Sequence, residues 1–308
     1  MPNIAILMYH RICEKTKHNK CYFARGTAVE PQVFERQLNW LIKEGYTFTS
    51  LTKAVELSKQ KEEGKYCVLT FDDGYKEIKD VVWPLSKNLQ IPICIFPIAG
   101  HTAEADFPVY VDHYYMILHY ANNRSPIHLK FLDVDMQVPA IDTDIQWWIK
   151  GEFKEKLHMA TAEEQIILLQ NLKQVLDSQI PIDLPQNLYL SREDISSLHK
   201  DGVEVGGHGY YHRRLAEIGQ EELNFEISAS LKLLLDIGVT KPELFCYPDG
   251  SYSSKVIEHL HKYGFATACT VNKGFYNPDT SQMEVPRIFV RNIEPGHPSW
   301  LREYSILL

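Results

Sequence analysis

The sequence predicts an α/β fold with a mostly parallel sheet, built as one large α/β barrel or as two ordinary domains. Short apolar runs rich in β-favouring residues alternate with amphipathic helical segments up to about residue 100. This alternation is typical of βα units. The same pattern resumes after residue 190. A chain of 308 residues can bury a sizeable core in either arrangement.

The first part of the chain alternates three strand-like runs with three helical segments. The predicted strands are residues 4–9, 66–71 and 91–98. The predicted helices are residues 31–44, 51–59 and 77–88, the last of which contains Pro84. Thr49 or Ser50 is expected to cap the second helix, because a side-chain oxygen there can accept a bond from a first-turn amide.

Residues 101–190 break this rhythm. The segment holds an aromatic-rich stretch at 110–120, the pair Trp147 and Trp148, and an amphipathic helix at 162–179, without strands of the βα type. We interpret it as a mainly helical insertion within a single domain spanning residues 1–308. It is a candidate lid or a candidate contact between copies in a homo-oligomer, and plain packing of its apolar stripe is the alternative.

The alternation resumes after Leu190. Ser191 and Asp194 form a near capping box, so we expect a helix to begin there and to end at Asp201 and Gly202. The predicted strands that follow are residues 203–205, 244–247, 265–271 and 285–291. The predicted helices are residues 223–237 and 253–263.

Composition excludes several classes of partner. A net charge of -8 and a pI near 5.9 argue against nucleic acid or an anionic membrane, since either needs a basic face. No apolar stretch approaches 18 residues, and the N-terminal run lacks a basic segment and a cleavage site, so no membrane span and a cytoplasmic location are expected. The six scattered cysteines indicate no disulfide framework, and Cys67, Cys94 and Cys269 are expected to be buried thiols.

The stretch VLTFDDGY at residues 68–75 joins an apolar strand to a turn closed by Gly74. Asp72 and Asp73 end the strand, and neighbouring side chains on an extended backbone point in opposite directions. One carboxylate can therefore bind a metal ion while the other acts as a base. A polar turn with two solvated carboxylates is the alternative.

Two histidines four residues apart, His208 and His212, follow another predicted strand. Imidazoles at this spacing can converge on one ion, and solvated surface histidines are the alternative. Asp73 would complete a set of one carboxylate and two imidazoles, which leaves positions on a divalent metal for water and substrate. Strand ends of one polarity share one face of a barrel, so these distant residues can meet there.

The order of three motifs, TFDDG at 70–74, HxxxH at 208–212 and FCYPDG at 245–250, resembles that of the metal-dependent polysaccharide deacetylases, carbohydrate esterase family four. The resemblance covers roughly residues 4–97 and 193–291 and leaves out the insertion. It implies a distorted (β/α) barrel of about seven parallel strands. It also implies one divalent metal ion, usually zinc and sometimes cobalt or nickel.

The resemblance implies a role for each matching residue. Asp73, His208 and His212 would bind the metal, which would polarise an N-acetyl carbonyl and lower the pKa of the attacking water. Asp72 would be the general base that takes the proton of that water. A backbone N–H of the third motif would help to hold the oxyanion. The residues implied to bind substrate there are Tyr247, Pro248, Asp249 and Gly250.

The third motif departs from the family pattern. Cys246 and Tyr247 stand where the family has an arginine ahead of its Pro-Tyr pair, so the usual partner of the base is missing. Arg287 in VPRIFV can replace it, because a guanidinium holds a carboxylate in bidentate fashion. A surface or structural salt bridge is the alternative interpretation of Arg287.

The histidine that serves as general acid in the family also has no clear counterpart, since residues 289–292 contain none. His10, at the end of the first predicted strand, is the best candidate to protonate the leaving amine. Asp249 and His297 are further candidates. A structural hydrogen-bonding role is the alternative for His10.

These observations predict a hydrolase that uses a metal ion to remove an N-acetyl group from an acetamido sugar. The sugar would be carried on a short glycan, a lipid or a nucleotide. A hydrolase of a non-sugar amide or cyclic imide on the same scaffold is one alternative. A non-catalytic saccharide-binding protein that kept the barrel is another, since the third motif is altered. Retention of Asp72 beside all three metal ligands argues for catalysis.

Overall fold

The computed structural model describes residues 3–103, 109–181, 184, 187–304 and 307. The chain forms two compact units. The larger unit comprises Met1–Glu14, Ala28–Ala105 and Asn187–Leu308, and the smaller unit comprises Lys15–Thr27 and Asp106–Gln186.

Strands and helices of the described residues are numbered here in chain order. The strands are β1 (Asn3–Tyr9), β2 (Arg11–Ile12), β3 (Ala28–Val29), β4 (Thr47–Phe48), β5 (Lys65–Asp73), β6 (Ile93–Pro97), β7 (Ile127–Phe131), β8 (Val134–Val138), β9 (Glu204–Val205), β10 (Leu244–Cys246), β11 (Thr267–Cys269) and β12 (Ile288–Phe289). The α-helices are α1 (Lys20–Arg25), α2 (Pro31–Lys43), α3 (Leu51–Gln60), α4 (Trp83–Asn88), α5 (Ala99–Ala103), α6 (Tyr110–His119), α7 (Ile145–Lys150), α8 (Glu152–Met159), α9 (Ala162–Val175), α10 (Arg192–Lys200), α11 (Gln220–Asp236), α12 (Ser254–Lys262) and α13 (Pro298–Glu303).

Parallel pairing dominates the larger unit. One sheet runs in the order β12, β1, β5, β6, β9, and β4 also pairs with β5. β10 and β11 form a second parallel pair, and single bridges join Gly207 to Phe245 and Cys269 to Val285. The predicted α/β fold with a mostly parallel sheet is therefore confirmed. Closure of the barrel and its count of seven strands stay predictions.

Side chains of β5 alternate between two apolar clusters. Leu69 and Phe71 lie in the cluster that includes the buried residues of α2, whereas Val68 lies in the cluster that includes residues of β10 and β11. Successive side chains of a strand point to opposite faces, so the side chains of Thr70 and Asp72 point to the same face as that of Val68. Both are buried. The strand therefore carries an apolar core at its start and a buried carboxylate at its carboxyl end.

Two predicted elements of the larger unit differ in detail. The helix expected at 77–88 is a π-helical stretch, Ile78–Val82, followed by α4, because Pro84 has no N–H to continue a regular ladder. The strand expected at 285–291 is reduced to β12. Its segment changes neighbours, since Val285 donates to Ala268 and Val290 donates to Met8.

Two of the predicted helix starts agree with the structure. Ser50 caps α3, and Ser191 forms the full capping box of α10 with Asp194. In each case the serine oxygen accepts from a first-turn amide, which satisfies a donor that the helix cannot bond internally. None of the helices within the described ranges is both long and apolar enough to cross a membrane.

The smaller unit contains helices α1 and α6 to α9 together with the antiparallel hairpin of β7 and β8. The sequence predicted neither the hairpin nor the grouping of Lys15–Thr27 with the later segment. The Tyr22 hydroxyl donates to Asp112 at 2.6 Å, and the Cys21 amide donates to His119 at 3.1 Å, so α1 is bonded to α6. The insertion bounds of 101–190 within one domain stay a prediction.

Candidate metal centre and catalytic residues

The two carboxylates at the end of β5 are separated by a change in backbone conformation. Asp73 has φ 70°, which is left-handed and not the extended backbone that the sequence analysis expected. Gly74 continues the turn with φ 79°, where a Cβ would lie 2.9 Å from the Cβ of Pro97. The predicted divergence of Asp72 and Asp73 is therefore produced by this tight turn next to β6, and not by regular strand alternation.

Asp73 faces both histidines of the HxxxH string. Its Oδ1 lies 3.5 Å from Nε2 of His208 and 3.6 Å from Nε2 of His212. The rings of the two histidines are 4.9 Å apart between centroids. The structure thus brings the three predicted metal ligands together, although they come from β5 and from the loop after β9.

Hydrogen bonding fixes the orientation of His208. Its Nδ1 lies 2.8 Å from the carbonyl oxygen of Cys246, which can only accept. Nδ1 therefore carries a proton, and Nε2 is the nitrogen directed toward Asp73. Metal-binding histidines generally have such a partner on their second nitrogen.

The three donors fit a divalent ion. Ligand atoms around a four-coordinate zinc with bonds of about 2.0–2.1 Å lie about 3.3 Å apart, close to the 3.5 and 3.6 Å that separate Asp73 from the two histidines. One carboxylate and two imidazoles also suit cobalt and nickel. The side chains of Asp73 and His212 are partly exposed, so the centre is reachable from solvent.

Electrostatics favour the ionised form of Asp73. Burial alone would raise the pKa of its carboxyl group, but the hydrogen bond with His208 and the charges of His10 and His212 hold the pKa well below its usual range. The group is therefore a carboxylate at neutral pH, as a metal ligand must be.

Asp72 is held by a separate partner, Arg287. The guanidinium donates from Nη1 to Oδ1 and from Nη2 to Oδ2, each at 2.7 Å, and the arginine side chain is fully buried. Burial would raise the pKa of Asp72, but the charge and hydrogen bonds of Arg287 lower it below the usual value. The bidentate contact predicted from the sequence is present.

Three more groups fix the plane of the Arg287 guanidinium. Its Nε donates to the carbonyl of Thr270 at 2.9 Å, Nη1 donates to Oγ1 of Thr70 at 3.1 Å, and Nη2 lies 3.1 Å from Sγ of Cys246. The sequence analysis did not assign a role to Thr70 or to the Cys246 thiol. Their position on inward-facing strand residues beside FDDG and PDG is the signal that could have identified them.

The candidates for the general acid are placed differently. His10 follows β1, its ring lies 5.7 Å from that of Phe289, and its charge contributes to the lowered pKa of both aspartates. His297 instead caps α13 by accepting from the Ser299 amide. His10 is thus the candidate near the paired carboxylates.

The predicted substrate-binding stretch is a tight 3-10 turn. Tyr247 is buried, and its hydroxyl donates to the carbonyl of Met283 at 2.9 Å. The side chain of Tyr247 therefore packs in the core, and its role in substrate binding stays a prediction. A substrate-binding role for Pro248, Asp249 and Gly250 stays a prediction.

The same turn limits the predicted oxyanion donor. The amide of Tyr247 donates to Cys269, the amide of Gly250 donates to Tyr247, and Pro248 has no amide hydrogen. These three positions cannot donate to an oxyanion while the turn keeps this geometry. Asp249 has φ 50°, and its carboxylate lies 3.6 Å from Nε of Arg214.

Comparisons with known proteins agree with this arrangement. The model of the polysaccharide deacetylase family matches residues 59–268, which is more than half of the chain. A curated Bacillus subtilis (strain 168) protein named "Putative polysaccharide deacetylase YxkH" is 32% identical over 103 residues. That match spans 32% of this chain and 34% of the relative, so the chain covers about a third of the length of this relative.

Solved structures show the same fold along nearly the whole chain. The Streptococcus pyogenes deacetylase PplD in complex with acetate has a TM-score of 0.63 at 18% identity, with 96% of each chain covered. IcaB from Ammonifex degensii has a TM-score of 0.61 at 18% identity, with 100% and 97% covered. The de-N-acetylase from Aggregatibacter actinomycetemcomitans has a TM-score of 0.63 at 15% identity, with 99% and 100% covered. Because the family model matches most of the region that carries the site, this chain belongs to the polysaccharide deacetylase family.

Proposed function

We propose that the protein is a metal-dependent hydrolase that removes the N-acetyl group from an acetamido sugar. The observation that carries this proposal is the separation of two neighbouring carboxylates. Asp73 faces two imidazole nitrogens, whereas Asp72 is held by Arg287. A ligand set beside an independently held base is what hydrolysis of an amide by activated water requires.

Asp73, His208 and His212 would hold the ion. A divalent ion bound there supplies Lewis-acid polarisation of a carbonyl and a water of lowered pKa. Zinc is the first candidate, with cobalt and nickel as alternatives, because the donor set is one oxygen and two imidazole nitrogens. The contact of His208 with the carbonyl of Cys246 keeps its Nε2 directed at the site.

Asp72 would accept the proton of the attacking water. Its lowered pKa keeps it ionised at neutral pH. An ionised carboxylate offers about four lone-pair positions, and Arg287 uses two of them, so Asp72 can still accept a hydrogen bond. Arg287 orients the carboxylate and prevents its rotation, which is a positioning role and not a proton transfer.

His10 would return a proton to the leaving amine. Its place after β1, near both aspartates, puts an imidazole that can carry and release a proton at the correct end of the strands. Loss of the amine requires protonation because an amide anion is a poor leaving group. Products would be acetate and a free amine on the sugar.

Acetyl groups are the favoured substrate feature. Family membership supports a carbohydrate substrate, and one similar structure, from Streptococcus pyogenes, is a complex with acetate. The carrier of the sugar, whether a glycan, a lipid or a nucleotide, stays open. Only a substrate panel separates an acetamido sugar from a non-sugar amide or cyclic imide on the same scaffold.

The test is acetate release from such a panel. Chitooligosaccharides, N-acetylglucosamine, UDP-N-acetylglucosamine, a simple N-alkylacetamide and a cyclic imide are incubated with zinc- or cobalt-loaded protein. The proposal is supported if wild type releases acetate from a sugar and Asp72→Asn does not. Turnover of the imide alone would move the assignment to the other hydrolase class. Sugar binding without acetate in loaded protein would favour a binding protein.

Three further expectations accompany this proposal. The single bridges at Gly207 and Val285 support a distorted barrel of about seven parallel strands. A cytoplasmic location can be checked by cell fractionation with an antibody to the chain. Oligomerisation through residues 101–190 can be checked by light scattering of the wild-type protein and of a deletion of that segment.

A further inference from the structure

A buried carboxylate lies beside the loop that carries the two histidines. Glu226 of α11 is 0% exposed. Its Oε2 accepts from the amides of Tyr210 at 2.7 Å and Tyr211 at 3.1 Å, and its Oε1 accepts from Tyr211 at 3.0 Å. Both amides belong to the residues between His208 and His212. Glu226 therefore binds the backbone that separates the two histidines.

The opposite side of this loop is bonded as well. The amide of Ala99 donates to the carbonyl of Gly209 at 3.0 Å, and the amide of Gly100 donates to the carbonyl of Tyr210 at 3.0 Å. The loop thus accepts from the first residues of α5 and donates to Glu226. These bonds on both sides restrict the rotation of the peptide groups between the histidines.

Gly209 permits the close approach of the carboxylate. It has φ 72°, and a Cβ at this position would lie 2.6 Å from Oε2 of Glu226 and 3.4 Å from Cγ of Pro248. The 2.6 Å contact is shorter than real Cβ atoms make. The left-handed backbone conformation is also one that residues other than glycine rarely adopt. The glycine and the glutamate are therefore fitted to each other.

A carboxylate in this place is unfavourable for folding on its own. Burial raises the pKa of Glu226 to about 7, although the amides of Tyr210 and Tyr211 and the charge of Arg213 act in the other direction. Glu222, one turn earlier on α11, raises it further. A buried carboxylate is costly unless it is hydrogen-bonded, and the hydrogen bonds described for Glu226 go to the histidine loop.

We propose that Glu226 is a positioning residue, which fixes the backbone of residues 209–211 and thereby sets the separation of the two histidine side chains. The inference rests on the proposed function, in which His208 and His212 bind a metal ion. Glu226 touches neither histidine in any described contact, so it acts through the loop. Residues that orient metal ligands in this way change metal affinity by about 10–100-fold when they are replaced.

The test compares Glu226→Gln with the control Glu222→Gln. Glu222 lies on the same helix and binds Arg213 in a partly exposed ion pair, so its replacement removes the same charge without touching the loop. The side chain of Gln has one acceptor oxygen and one amide NH₂ group, which can only donate. The NH₂ group would face a backbone N–H of the loop and could not accept a hydrogen bond from it. The loop therefore loses acceptor capacity in one variant only.

Two readouts are measured in wild-type protein and both variants. The first is Co²⁺ affinity by chelator competition, together with the visible absorption spectrum of the bound Co²⁺, which reports ligand geometry. The second is amide hydrogen exchange of the 208–212 segment in metal-depleted protein. We expect Glu226→Gln to bind Co²⁺ about 10–100-fold more weakly, with an altered spectrum and faster exchange, and Glu222→Gln to match wild type.

The outcomes separate the inference from the proposed function. Equal Co²⁺ affinity and spectrum in Glu226→Gln and Glu222→Gln would overturn the positioning role while leaving the metal centre intact. If wild type itself binds no Co²⁺, the proposed metal centre fails and the positioning role fails with it. If Glu226→Gln does not fold, Glu226→Asp is measured instead, because its shorter side chain cannot reach both amides. Wild-type affinity and spectrum in that variant would also overturn the inference.

Discussion

Replacement of Arg287 by Met tests how the candidate base is held. In the wild type both oxygens of Asp72 accept from Arg287 at 2.7 Å, and both side chains are almost completely buried. Arg287→Met fills a similar volume but leaves the carboxylate without its cation. Removing one partner of a buried ion pair destabilises a protein by about 3–5 kcal/mol, because the remaining charge is desolvated and uncompensated.

An exposed bidentate arginine–carboxylate pair provides the control. Arg36 binds Glu294 through Nε at 2.7 Å and Nη2 at 2.5 Å, with about half of each side chain exposed. Arg36→Met is expected to leave the unfolding free energy close to that of wild type, since solvent screens this pair. Urea unfolding followed by tryptophan fluorescence measures both variants, and a matching slope in urea shows that the same surface is exposed.

A double replacement separates the pair from the residues around it. Asp72→Asn together with Arg287→Met removes the buried charges on both sides, so it should recover part of the stability that Arg287→Met loses. The reasoning would be refuted if Arg287→Met and Arg36→Met change the unfolding free energy equally. It would also be refuted if the double variant were as unstable as the sum of the two single variants.

Three further predictions follow from the site and its supports. Asp72→Asn should lower kcat for acetate release by about 10²–10⁴-fold while leaving the metal content unchanged, because Asp72 is the proposed base and Asp73 the proposed ligand; equal losses of metal and activity would contradict the separate roles. Gly74→Ala should destabilise the fold by at least about 1–2 kcal/mol in urea unfolding, since the left-handed backbone disfavours a Cβ and Pro97 lies 2.9 Å from it. The pKa of Glu226 is raised from 4.5 to about 7, so its contribution to stability is greatest below pH 4.5 and is lost as the pH rises to about 7. The unfolding free energy of wild type should therefore fall relative to that of Glu226→Gln between pH 5 and pH 8. A difference that stays constant over this range would contradict the raised pKa.

The sequence was sufficient for features that depend on local pattern. The apolar run before Asp72 predicted a buried strand, and β5 is that strand. The HxxxH spacing predicted that His208 and His212 could converge, and both face Asp73 at 3.5–3.6 Å. Strand polarity explains why the sequence alone predicts that these distant motifs meet, since parallel strands end on one face.

Features that depend on tertiary contacts were not predicted. The left-handed backbone of Asp73 belongs to a turn with Gly74 against Pro97, and the Asp-Gly pair is the local signal that could have indicated it. Glu226 sits within an ordinary amphipathic helix, and only the fold brings it to the histidine loop. The resemblance implied that Tyr247 binds substrate, and no local pattern indicated that its hydroxyl donates to the carbonyl of Met283 in the core.

The grouping of residues 15–27 with residues 106–186 in the smaller unit also depends on tertiary contacts. Residues 15–27 carry no pattern that links them to residues 106–186, since the connection consists of tertiary contacts, among them the bonds between α1 and α6. The bidentate contact of Arg287 was predictable because guanidinium and carboxylate are complementary and one partner of the base was missing. Its support by Thr70 and the Cys246 thiol was not assigned, although their strand positions beside the FDDG and PDG motifs are a signal for it.

Metal content is the measurement that tests the central claim most directly. Purified wild type and the variants Asp73→Ala, His208→Ala and His212→Ala are reconstituted with zinc, dialysed and analysed for the element, with Arg36→Met as the control. Nε2 of His208 and Nε2 of His212 lie 3.5 and 3.6 Å from one carboxylate oxygen of Asp73. We predict close to one zinc per chain in wild type and control, and loss of it in all three variants. Zinc that is absent from wild type, or that persists in all three variants, would contradict the account.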